Sequence, residues 1–172
     1  MEIQSTAWPV LTLLTIATVE DIRSRRIPNW LVLPFLAAGA AVNTSSHGLN
    51  GLGQSIGGIA LAVAVTGVLC RLRGMGMGDL KLCTAVGAWI GPEQLGTALV
   101  VTGLAGGLLA LVWATCRGSL RESLDGSSDL LAGFWTKGVR PHPRLTLDSH
   151  SARAIPYAPA IAIGTIFSFF ST

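Results

Sequence analysis

Apolar residues gather into six runs along the chain, at about Ile3–Val19, Trp30–Val42, Gln54–Cys70, Leu80–Ile90, Leu95–Cys116 and Ile155–Phe170. The first, third, fifth and sixth approach the roughly 20 residues that carry a helix across about 30 Å of hydrocarbon, whereas the second and fourth are shorter. A short run is accommodated either by a helix that continues into its polar flanks or by local thinning of the bilayer, and the pattern alone allows both. The fold class predicted is all-α: a polytopic integral membrane protein with about six transmembrane helices.

Composition agrees with that pattern. Half of the 172 residues are apolar and only 12% are charged, and the mean hydropathy is +0.57, against about 25% charged residues in an ordinary soluble domain. No polar segment is long enough to bury a core of its own, so residues 1–172 are expected to form one membrane-embedded domain. Its site must then be built from helix ends and short loops. Met1 to Ala7 carries no Lys or Arg, and no small-residue cleavage site follows the first run, so that run is expected to stay in the mature protein. Cys70, Cys83 and Cys116 lack CxxC spacing and read as small apolar residues rather than as a disulfide framework or a zinc site. Gly53 and Gly57, Gly87 and Gly91, and Gly103 and Gly107 form small-xxx-small pairs suited to close helix packing.

The distribution of positive charge adds an orientation. Arg23, Arg25 and Arg26 follow the first run; Arg71, Arg73 and Lys81 flank the connection after the third; Arg117, Arg121, Lys137, Arg140, Arg144 and Arg153 follow the fifth. The N-terminus, the connections 43–53 and 91–94, and the C-terminus carry none. By the positive-inside rule the odd-numbered loops are cytoplasmic and both termini lie outside. The long polar loop at about 117–154 is therefore expected in the cytoplasm, and its Leu124, Leu130, Leu131, Phe134 and Trp135 read either as a short amphipathic segment lying on the membrane surface or as part of a disordered loop.

Candidate chemistry follows from that orientation. Asp21 ends the first helix and Asp79 begins the fourth, so both carboxylates are expected at the cytoplasmic face. Asp79 stands behind Gly74-Met75-Gly76-Met77-Gly78, flexible backbone able to turn sharply and approach another chain. Two adjacent carboxylates can share one proton and so provide a general base for water and a general acid for the substrate. Helix polarity suggests Asp79, at a helix N-terminus, as the anion and Asp21, at a helix C-terminus, as the acid. Each residue has a plainer reading: Asp21 as a solvated helix end paired with arginines, Asp79 as a cap. His142, Asp148 and His150 lack the fixed spacing of metal ligands, the glycines make neither a P-loop nor GxGxxG, and Asn43-Thr44-Ser45 is read as a chance match to a glycosylation sequon.

Three stretches together resemble the bacterial type IV prepilin peptidases, and in particular the short forms of tight-adherence (Flp-type) pilus systems. These are Asp21 with Ile27-Pro28-Asn29, then Gly76-Met77-Gly78-Asp79-Leu80-Lys81-Leu82, which matches GxGDxKL, and then Ile155-Pro156-Tyr157-Ala158-Pro159 at the last helix start. The resemblance implies a membrane-embedded aspartyl endopeptidase with Asp21 and Asp79 as the catalytic pair and Gly76, Gly78, Lys81, Pro28 and Asn29 as supporting residues. It implies no metal or organic cofactor and no nucleic acid. The partners implied are prepilin-like precursors with a short basic leader, pilus or secretion assembly machinery, and the lipid bilayer of the inner membrane, with cleavage at its cytoplasmic face. Larger family members carry an N-terminal cytoplasmic region with paired cysteines and also methylate the new N-terminus; methyl transfer is not expected here. Glu20, Asp125 and Asp129 are expected to offset the arginines toward a basic leader. A different class is a non-proteolytic membrane carrier or assembly scaffold that relays protons through the carboxylates, although such a relay has no use for the glycine run. Presenilin-like proteases share GxGD but set both aspartates on late, adjacent helices.

Overall fold

The computed structural model describes residues 2–24, 27–71, 75–116 and 157–171. They form four helices: α1 (Glu2–Ser24), α2 (Asn29–Arg71), α3 (Met77–Cys116) and α4 (Ala158–Phe170). The segment 117–154, with its surface-lying apolar residues, its histidines and Asp125 and Asp129, lies outside the described residues.

The two long helices are each broken once, at a glycine whose backbone no other residue adopts cheaply. Gly48 has φ 60° and ψ −139° within α2, and Gly91 has φ 74° and ψ 176° within α3. At each break the helix folds back on itself. Asn43 Nδ2 donates to Ser55 Oγ at 3.0 Å, a pair that an unbroken helix would hold about 18 Å apart. Among the described residues the chain thus makes six helical runs, with the breaks falling between the second and third and between the fourth and fifth apolar runs. The second and fourth helical runs continue through the polar flanks, Asn43 to His47 in one case and Met77 to Asp79 in the other. Extension brings the second run near the length of a span, whereas the fourth, from Met77 to the break at Gly91, reaches only about 21 Å.

The break at Gly91 frees carbonyls, because Pro92 has no N–H to give to Ala88. Ser55 Oγ donates to the Ala88 carbonyl at 2.7 Å, and Asn43 Nδ2 donates to the Ala88 and Trp89 carbonyls at 2.9 and 3.1 Å. The Trp89 indole N–H in turn donates to the Phe35 carbonyl at 2.8 Å, and its ring lies on Gly39. Engagement of the Asn43 amide in these bonds leaves its sequon a chance match.

Packing between elements relies on missing side chains. A Cβ on Gly58 would strike the backbone of Gly87, so α2 and α3 cross with their main chains in contact. Gly164 meets Thr102 and Ala98, and Gly106 meets the Tyr157 ring, so α4 lies tightly antiparallel to the second half of α3. Gly57 touches Pro92, but Gly53, Gly103 and Gly107 have open space where a Cβ would go, so spacing alone overstated their part in packing. The core runs through the middle of the bundle: Val10, Leu13 and Leu14 of α1, Leu31 and Val32 of α2, Leu82, Val86 and Leu95 of α3, and Ile161 of α4. Helices α2 and α3 are long and apolar enough to cross a membrane, and only 22% of the most apolar window of each is buried. Val100, Leu104 and Leu108 on α3 and Trp8 and Trp30 on α1 and α2 are more than half exposed, a surface far larger than a soluble monomer tolerates.

Candidate active site

The last turn of α1 carries Asp21, which is 7% exposed. Its Oδ2 accepts a hydrogen bond from the backbone N–H of Ala158 at 3.1 Å. Ala158 opens α4, with a proline in the first turn, and the first N–H groups of a helix have no partner within it and stand at its positive end. The carboxylate thus supplies what the incoming helix lacks. Asp79 is half-buried in the first turn of α3. The Gly76 backbone hydrogen-bonds its carboxyl, the Gly76 carbonyl accepts from Leu80 N–H at 3.3 Å to start the helix, and the Cys70 thiol at the end of α2 donates to that same carbonyl at 3.4 Å.

The glycines act here by giving room. Neither Gly76 nor Gly78 has a positive φ, so of the two uses of glycine, the sharp turn and the close approach, it is the close approach that these two serve. A Cβ on Gly76 would lie 3.2 Å from Asp79 Oδ2, and one on Gly78 would lie 3.3 Å from Ile27 Cβ. Gly78 lets the start of α3 lie directly on the segment before α2. There the Pro28 carbonyl accepts from Leu31 and Val32 N–H at 3.2 and 3.4 Å, and Lys81 Nζ donates to Asn29 Oδ1 at 2.8 Å. The two short motifs, 50 residues apart in sequence, are thereby tied side by side.

Asp21 and Asp79 lie at the same end of the bundle, and Asp21 is among the groups whose charge acts on the Asp79 carboxyl. Tyr157, one residue before the amide that binds Asp21, also lies within electrostatic reach of Asp79. The phenol and the carboxyl thus belong to one electrostatic cluster at this end of the bundle. Tyr157 and Ala158 had no role in the sequence reading beyond marking a helix start; the signal available was the proline at the head of that helix. Each carboxylate stands at a helix N-terminus, Asp79 in its own helix and Asp21 against α4, so helix polarity does not divide acid from base between them as α1 alone suggested. Glu20 is half-buried beside Asp21, and Ser24 Oγ donates to its carbonyl at 2.9 Å. Among the described residues no three His, Cys, Asp or Glu side chains gather as a metal site.

A family model described as the type IV leader peptidase family matches residues 8–111, more than half of the chain, including Asp21, Ile27 to Asn29 and Gly76 to Lys81. The chain belongs to the type IV leader peptidase family. Similar proteins include a prepilin leader peptidase/N-methyltransferase of Burkholderia pseudomallei, 36% identical over 121 residues, which is 66% of this chain and 39% of that protein. The Escherichia coli K12 protein of the same description is 37% identical over 107 residues, 56% of this chain and 44% of its own. The Bacillus subtilis protein is 30% identical over 163 residues, 92% of this chain and 52% of its own. The chain thus spans about half or less of the length of these relatives. No solved structure matches it.

Proposed function

We propose that this leader peptidase family member is a multi-pass aspartyl endopeptidase of the bacterial inner membrane. Its reaction is removal of the short basic leader from prepilin-like precursors, including those of Flp type, at the cytoplasmic face. The observation that carries the proposal is the arrival of Asp21 and Asp79, from the end of one helix and the start of another, at one end of the bundle and within range of each other's charge. A shared proton is the physical consequence of two carboxyl groups held together in a poorly solvated place. The ionised member takes a proton from water as the water oxygen attacks the scissile carbonyl; the protonated member donates to that carbonyl oxygen and then to the leaving amine.

The basic residues of the first, third and fifth connections support a cytoplasmic position for that end of the bundle. A substrate with a basic leader and an apolar helix fits such a site, since the leader stays in the cytoplasm and the junction reaches the depth of the carboxylates. The curated relatives are named as prepilin leader peptidases, which supports the substrate class, and the proposal covers peptide hydrolysis alone. Co-expression with a prepilin from the same bacterium tests it. The wild type should shorten the precursor on a gel, and Asp21→Asn and Asp79→Asn should each abolish the shift while the protein remains in the membrane. Processing that survives either substitution disproves the two-carboxylate mechanism.

A further inference from the structure

A groove of about 230 Å³ runs between α1 and α4, walled by Leu11, Leu14, Thr15, Thr18 and Val19 on one side and Ala162 and Ile166 on the other. The α1 residues recur at helical spacing and stop two residues short of Asp21. The α4 residues begin one turn after Ala158, whose amide binds Asp21. From Leu11 to Val19 the groove follows α1 for about 12 Å, and its lining ends within one helical turn of Asp21. Its floor is Leu14, 2% exposed, and its long side is open, because Val19 is 47% and Ile166 40% exposed. Helix α1 meets α4 more extensively than it meets α2 or α3.

Thr18 distinguishes this groove from an ordinary seam filled by lipid. Threonines in helices usually bond back to the carbonyl four residues earlier, and on this same helix Thr12 donates to the Trp8 carbonyl at 2.8 Å and Thr15 to the Leu11 carbonyl at 2.7 Å. Thr18 Oγ1 is buried and has no hydrogen-bond partner among the described residues, although it is placed one turn from Asp21. A hydrocarbon chain gives it nothing. A peptide whose helix has opened near the scissile bond brings unpaired N–H and C=O groups, which must be satisfied by the protein in the absence of water.

We propose that the α1–α4 groove receives the apolar helix of the precursor, and that Thr18 bonds the opened substrate backbone next to the cleavage point. This deepens the peptidase reading and rests on it. The helix enters sideways from the bilayer through the open side of the groove, its leader end directed at Asp21 and its apolar residues against Leu11, Leu14, Ala162 and Ile166. Thr18 is a binding residue for substrate backbone and takes no proton in the reaction.

The test is photocrosslinking in native membranes that contain the full chain and a prepilin precursor. A photoreactive side chain replaces Leu11 or Ile166 and, as controls, Val100 or Leu104 on the outer surface of α3, in the Asp79→Asn background. Crosslinks from Leu11 and Ile166 to the apolar part of the precursor, absent from Val100 and Leu104, are expected. Crosslinks to lipid alone, or equal yields from all four positions, overturn the groove. A second measurement uses Thr18→Val, which keeps the shape and removes the unpaired hydroxyl. The melting temperature should hold or rise while KM for the precursor increases several-fold; an unchanged KM overturns the role of Thr18. If the wild type leaves the precursor uncut, or Asp79→Asn still cuts it, the peptidase reading has failed instead, and the crosslinking pattern reports on the groove regardless.

Discussion

Asn43 shows how one side chain can underwrite a broken helix. Pro92 takes the Ala88 carbonyl out of the α3 ladder, and the Asn43 amide, joined at Ala88 by the Ser55 hydroxyl, donates to the Ala88 and Trp89 carbonyls. The two donors are not equivalent. Loss of Asn43 takes a donor from both the Ala88 and Trp89 carbonyls, whereas loss of Ser55 takes one from Ala88 alone. Leaving a buried polar group unpaired costs about 1–3 kcal/mol, and hydrogen bonds between membrane helices average nearer 0.6 kcal/mol. Asn43→Leu should therefore lower the unfolding temperature in detergent clearly, and Ser55→Ala less. Equal melting of both variants and the wild type would mean that water reaches these carbonyls. This bond was out of reach of sequence reading, since an Asn at the edge of an apolar run looks like a helix end until the neighbour that needs it is known. The same holds for Asp21, whose acidity and position were legible but whose bonded partner is an amide 137 residues away.

Among the elements, the crossing of α2 with α3 and the free surface of α3 make opposite demands on glycine. At Gly58 a Cβ would enter the Gly87 backbone, so Gly58→Ala forces the helices apart and should cost about 1–3 kcal/mol, the usual range for overpacking. Gly103 and Gly107 meet nothing, and replacing an exposed helical glycine by alanine gains roughly 0.5–1 kcal/mol. Gly103→Ala and Gly107→Ala should therefore melt at or above the wild-type temperature, and Gly58→Ala well below it; a loss at Gly103 would reveal a contact outside the described residues. Helix boundaries were readable because apolar runs and Gly breaks punctuate the chain, and the all-helical class followed from that. Which glycines pack was readable only in part: Gly87 meets Gly58 and Gly57 meets Pro92, but Gly53, Gly103 and Gly107 meet no described residue. Spacing of four marks a helix face but not which face meets a neighbour, and Gly58, Gly106 and Gly164 belong to none of the pairs that spacing picked out.

For the molecule as a whole, the two hairpin breaks and the carboxylate end lie at opposite ends of the same bundle. Asn43, Ser55, Gly91 and Gln94 gather at one end, where Gln94 Nε2 also reaches the Ser168 carbonyl at 3.3 Å; Asp21, Ile27, Asn29, Gly76, Lys81 and Tyr157 gather at the other. Charge segregates along the same axis. Arg23, Arg71 and Lys81 flank the carboxylate end, whereas the connections at the break end have no basic residue. If the bundle stands upright in the membrane, this asymmetry directs the carboxylates to the cytoplasm and the breaks to the periplasm. Alkaline phosphatase fused to truncated chains reads that orientation, because its disulfides form only on the oxidising side. Fusions after Asn50 or Glu93 should be active, and fusions after Arg71 or Arg117 inactive. The opposite pattern would put Asp21 and Asp79 on the side away from a cytoplasmic leader. Activity at Asn50 with none at Glu93 would mean that the first half of α3 does not cross the bilayer. The inverted pattern would remove the Asp pair from the membrane face where a basic leader waits, even with both side chains intact, whereas an inactive Glu93 fusion alone would leave the pair in place and undo the hairpin at Gly91.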